Sequence, residues 1–98
     1  MNNKITIEKK TLILRSEVAE IRADIKNTRS NEASLDFSSV EFINASFADE
    51  LLNMVSSLSG EGITVKLLNL QGSVRKMISA IKKRKLNLER QLPAKEVD

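Results

Sequence analysis

Residues 35–52 read "LDFSSVEFINASFADELL": the end of an apolar strand, a polar turn, then apolar side chains at helical spacing. Phe47, Leu51, Met54, Val55 and Leu58 form one stripe over three turns, and Gly60 and Gly62 close it. The spacing predicts a helix that begins at Ser46. Ser46 and Asp49 have the Ser-x-x-Asp spacing of a capping box, in which each side chain accepts from the other residue's N–H. Val40, Phe42 and Ile43, in the connector ahead of the helix, are expected to pack onto the core.

Outward from this junction the chain alternates. "SLDF" before it reads as a central strand, and "ITVKLLNL" after it is the most strand-like segment of the chain. Upstream, "KITI" (4–7) and "TLIL" (11–14) read as two short strands, and a hairpin between them would make the sheet mixed. Val18, Ile21 and Ile25 mark a helix over about residues 16–28, with Ser16 as its cap and Glu17 in its first turn. Downstream, Val74, Met77, Ile78 and Ile81 mark a third helix from about Ser73. Strands alternating with helices call for an α/β fold: a small, mainly parallel sheet packed by about three helices. Residues 1–85 are expected to form one domain and 86–98 a partly ordered basic-to-polar tail. Leu86, Leu88 and Leu92 fit neither period well; they continue the third helix or dock on another chain.

Composition narrows the chemistry. Ninety-eight residues with 41% hydrophobic and 30% charged content suit one soluble globular core. Cysteine and histidine are both absent, which removes thiolate nucleophiles, the commonest general base and the commonest metal ligands. No metal site, cofactor or enzymatic activity is expected. The N-terminus has no apolar stretch fit for a signal peptide, and no run approaches a membrane span, so a cytoplasmic location is expected.

The segment quoted first, followed by "GITVKLLNLQGSVRKMI", resembles the STAS fold, in particular a bacterial STAS-like branch of poorly defined function. The positions that carry the likeness are Asp36, Phe37 and Val40, then Phe47, Ala48, Asp49 and Glu50, then Asn69, Val74 and Met77. "LRSEVAEI" fits the branch's first helix, and the similarity covers about residues 11–81. The resemblance implies a non-enzymatic regulatory protein-interaction module, similar to anti-sigma-factor antagonists. Those proteins bind a histidine-kinase-like ATPase, which phosphorylates a serine at the start of the second helix. Their junction reads Asp-Ser-Ser-Gly, with the first serine as acceptor. Here Asn44, Ala45, Ser46 and Phe47 occupy it, so Ala45 stands at the acceptor position and Ser46 matches the second serine.

Each candidate residue also has a plain structural reading. Ser46 is a candidate phosphoacceptor, since a helix N-terminus favours phosphate. The cap reading weighs more, because Asp49 and Glu50 would repel a dianion. Asp49 and Glu50 themselves complement the dipole of the first turn or meet a partner; adjacent helix positions point about 100° apart, which does not suit a paired-carboxylate active site. Asp36 either borders a binding crevice at a strand end or accepts backbone N–H groups from the next turn. Asp36, Asn44, Ser46, Asp49 and Glu50 together form the expected partner-binding set. Arg75, Lys76, Lys82, Lys83, Arg84 and Lys85, with Arg90 beyond, make one end basic. That cluster suits the last turn of a helix, an acidic partner or, as the alternative function, a nucleic acid. Base stacking would need an aromatic residue that the cluster lacks.

Overall fold

Apolar residues at period two and at period 3.6 alternate along the chain, and the elements follow them. The computed structural model describes residues 3–97, with side-chain surroundings through residue 86. In order they are β1 (Lys4–Thr6), β2 (Thr11–Leu12), α1 (Arg15–Asn27), β3 (Glu32–Asp36), β4 (Phe42–Ile43), α2 (Ala45–Gly60), β5 (Thr64–Leu68) and α3 (Gly72–Val97). This is the α/β architecture with mainly parallel pairing and three helices that the alternation predicts. The α3 backbone runs past residue 86, where the sequence marks off a tail. The side chains of 87–98, Leu88, Arg90 and Leu92 among them, lie outside the described residues.

The strands form two small sheets rather than one: β1-β3-β5, and β2 beside β4. The hairpin expected between residues 4–7 and 11–14 does not form. β1 pairs in parallel with β3, Ile5 opposite Leu35, and β2 pairs in parallel with β4, Leu12 opposite Ile43. Charged Glu8, Lys9 and Lys10 supply no tight turn, and each strand finds its partner about thirty residues away instead. The result is a repeated unit of strand, short strand and helix. It occurs twice, followed by β5 and α3 without a third short strand.

Winding fixes where the core sits. The steps from β1 through α1 to β3, and from β3 through α2 to β5, run the same way along the sheet. Right-handed crossovers therefore put both helices on one face. On that face lie Ile5, Leu35 and Leu67 in one row and Ala33 beside Val65; on the other lie Lys4, Ser34 and Lys66. The covered face packs on Val18, Ile21 and Ile25 of α1 and on Phe47, Leu51, Met54 and Leu58 of α2, with Val74, Ile78 and Ile81 of α3 closing the core. The bare face is polar, which suits a sheet with one solvated side.

Helix starts differ from expectation in an instructive way. α1 is capped at Leu14, not Ser16. Glu17 reaches back so that Oε1 accepts from the Leu14 N–H at 2.9 Å and the Ile13 N–H at 3.0 Å, the return half of a capping box that fixes Leu14 at the cap position. Those N–H groups hold the Glu17 carboxyl below its ordinary value, and Lys9 adds to the effect. At the other end of the helical layer, Gly62 adopts φ +85°, the left-handed turn that follows α2 and that a glycine adopts freely.

Candidate functional site at the start of the second helix

Asn44, not Ser46, caps α2. Its backbone is extended, and its Oδ1 accepts from the Phe47 N–H at 2.9 Å. The same side chain donates through Nδ2 to the Ile13 carbonyl at 3.2 Å, which ties the cap to the end of β2. The helix thus begins at Ala45, one residue earlier than the stripe suggests, and Ser46 sits inside its first turn, exposed to solvent. The expected reciprocal cap between Ser46 and Asp49 is not made. Asn is as good a cap as Ser, and only the position after Ile43 lets the cap also reach β2.

Starting the helix at Ala45 moves Asp49 and Glu50 out of the first turn, which holds no acid. Their role is cross-linking. Arg15 Nη1 lies 2.7 Å from Glu50 Oε1 and 3.6 Å from Asp49 Oδ2, while Lys85 Nζ lies 2.7 Å from Asp49 Oδ1. Lys85 also donates to Asn53 Oδ1 at 2.6 Å. Lys85, with Arg15 behind it, keeps the Asp49 carboxyl below its ordinary value. Each exposed pair is worth little alone, yet together they join α1, α2 and α3 around one helix start. Arg15, Ala45, Ser46, Asp49, Ile81, Arg84 and Lys85 line a shallow cleft there. Three cations therefore share a cleft with Ser46, two of them paired with Asp49 and Glu50, where the sequence shows only the two neighbouring acids.

Asp36 takes the second of its two readings. It is buried at the end of β3, and its Oδ1 accepts from the Ser38 N–H at 2.9 Å and from Asn69 Nδ2 at 3.0 Å. Lys4 Nζ stands 3.3 Å from Oδ2. The Asn69 amide and then the Ser38 N–H hold the carboxyl far below the ordinary carboxylate value. Asn69 reaches it from a left-handed backbone, φ +57°, which asparagine tolerates better than most residues. Asp36 organises the strand ends; it does not join the Asn44–Glu50 surface.

The basic cluster divides. Helix turns of about 100° per residue put Lys85 on the buried stripe of Val74, Ile78 and Ile81, hence its pairing with Asp49. By the same phase Lys76 and Lys83 point straight outward, Arg75 and Lys82 lie on one flank, and Arg84 lies on the flank toward Ser46. No single cationic face gathers all six.

One feature was legible only with long-range pairing in hand. Phe42, expected in the core, is 46% exposed, and Ile13 and Leu14 are 48% and 56% exposed. Leu12 and Ile43, opposite each other, point inward, so Phe42 is turned out by strand alternation.

Among the described residues no group of three or more acids could hold a metal ion, and no helix is long and apolar enough to cross a membrane. A concavity of about 670 Å³ lies between α2 and α3 against Leu52, Val55, Lys82 and Leu86. Its described lining residues include no acid–base pair. No family model, curated protein or solved structure matches the chain.

Proposed function

We propose that the chain is a STAS-like, non-enzymatic regulatory module that docks a protein partner through the start of α2. The observation that carries this reading is the solvent-facing helix start at 44–50, clasped by Arg15 and Lys85 and buttressed by Asn44 against β2. A surface held that firmly before contact loses little conformational freedom on binding. The sequence resemblance adds a partner class, a histidine-kinase-like ATPase. Affinity capture of the tagged chain from its native cells, side by side with Ser46→Arg, tests the reading. A protein retained by the native chain and lost with the folded variant supports it. Equal retention by both, or capture of nothing, overturns it.

A phosphoswitch at Ser46 is a second reading within the same surface, favoured by Arg15, Arg84 and Lys85, which line the same cleft. Its test is a phosphopeptide spanning residue 46 from cells. Persistent absence of that peptide, with Ser46→Ala fully active, ends it. The nucleic-acid alternative has less support, because the basic side chains point several ways and lack an aromatic companion.

A further inference from the structure

Three of the four exposed large apolar side chains among the described residues occupy one place: Ile13, Leu14 and Phe42. Alternation shows why Ile13 and Phe42 adjoin, and chain continuity places Leu14 beside them. Thr11 stands opposite Phe42 and Leu12 opposite Ile43, with Leu12 and Ile43 buried. Ile13, two residues beyond Thr11, therefore shares the outward face with Phe42 as its diagonal neighbour, and Leu14 follows at the cap of α1. The β2–β4 pair also keeps an open edge at β4, because the repeated unit is cut short. β5 passes to α3 with no third short strand to lie against β4. Polar side chains close that edge instead, Gln71 Nε2 donating to the Ser38 carbonyl at 2.6 Å and Ser73 Oγ to the Glu41 carbonyl at 2.7 Å. They satisfy the backbone and leave the apolar side chains uncovered.

The surroundings of this face select its occupant. Lys10 adjoins one end, its carbonyl accepting from the Glu41 and Phe42 N–H groups. Arg15 follows Leu14 at the other end and shares the Ser46 cleft with Arg84. Lys10 and Arg84 have no ionic partner among the described residues, and Glu41 next to Phe42 is likewise unpaired. We infer that the Ile13–Leu14–Phe42 face receives an acidic amphipathic segment of a partner protein, its apolar side chains on the patch and its carboxylates toward Lys10 and Arg84. This deepens the docking reading and rests on it: the partner held at 44–50 continues across β2 and β4. Apolar anchors rimmed by unpaired charge are the usual composition of such contacts.

A photoreactive residue placed in turn at 13, 42, 46 and 66 of the full chain, in native cells, tests it. Position 66 lies on the bare sheet face and is the control. Cross-links from 13 and 42 to a segment of another protein with apolar residues three and four apart and a net negative charge are expected. A synthetic peptide of that segment should then bind the chain in a salt-sensitive manner, about tenfold more weakly to Phe42→Glu or Arg84→Glu. Cross-links from 46 alone overturn the inference and leave the docking reading standing. Cross-links from 13 and 42 to a second copy of this chain, to lipid, or to a basic or wholly polar segment also overturn it. Silence at 13, 42 and 46 overturns both.

Discussion

Replacing Asn44 with Ala removes the acceptor for the Phe47 N–H and the donor to the Ile13 carbonyl at once. The expected cost is about 1–2 kcal/mol in urea denaturation. Ser46→Ala, two residues on, is expected to stay within about 0.5 kcal/mol because that side chain caps nothing. The apolar stripe marks the helix start to within a residue but not its cap, since three adjacent polar-to-small positions offer similar local chemistry. The tie to Ile13, which is long-range, decides among them. Asp36 makes the second residue-scale prediction. Its folded carboxyl titrates below the ordinary 3.8, so its contribution is present at neutral pH and is lost as pH falls through and below that value. Glu17, Asp49 and Glu61 shift the same way, Glu61 through Lys26 and Arg22. Thermal melts should therefore hold level from pH 7 to about 5 and fall steeply below about 4. Asp36→Asn should melt lower at pH 7 and show a shallower acid dependence; an unchanged acid slope would remove Asp36 from its place at the strand ends.

At the scale of elements, periodicity within a segment was legible and pairing between segments was not. The α2 stripe declared itself because Phe47, Leu51, Met54 and Leu58 recur at helical spacing, and all four are buried. The two N-terminal strands were also visible, but their partners lie about thirty residues on, beyond any local signal. β5 carries the richest β-branched and aliphatic run and yet is an edge strand whose residues are half-buried or exposed, since propensity reports fit to a pleat rather than place in a sheet. The two phenylalanines that flank the junction separate these effects. Phe47→Ala should destabilise by about 3–5 kcal/mol, because Phe47 is fully enclosed. Phe42→Ser, at a side chain turned out by alternation, should cost about 1 kcal/mol or less in the same denaturation. Equal losses would mean that Phe42 belongs to the core after all.

Across the whole molecule, one-way winding sorts the surface into unlike parts. The sheet's bare face is mainly polar, with Lys4, Ser34 and Lys66 in one row. The opposite side holds all three helices, and their ion pairs gather at two places, Asp49 and Glu50 with Arg15 and Lys85, and Glu61 with Arg22 and Lys26. A net charge of +3 is too small to dictate a polyanionic partner, and the helical phase of α3 disperses what cation there is. The fold class was legible in the sequence because it depends on element order. The surface was not, because it depends on which helix starts meet and where the repeated unit stops. Chemical-shift mapping of the isotope-labelled chain, titrated with the protein it captures from native cells, tests the docking surface most directly. Docking through the start of α2 predicts the largest shifts at residues 44–50 and none at Lys4, Ser34 or Lys66. Shifts centred on Arg75, Lys76 and Lys83, with 44–50 unmoved, would contradict it.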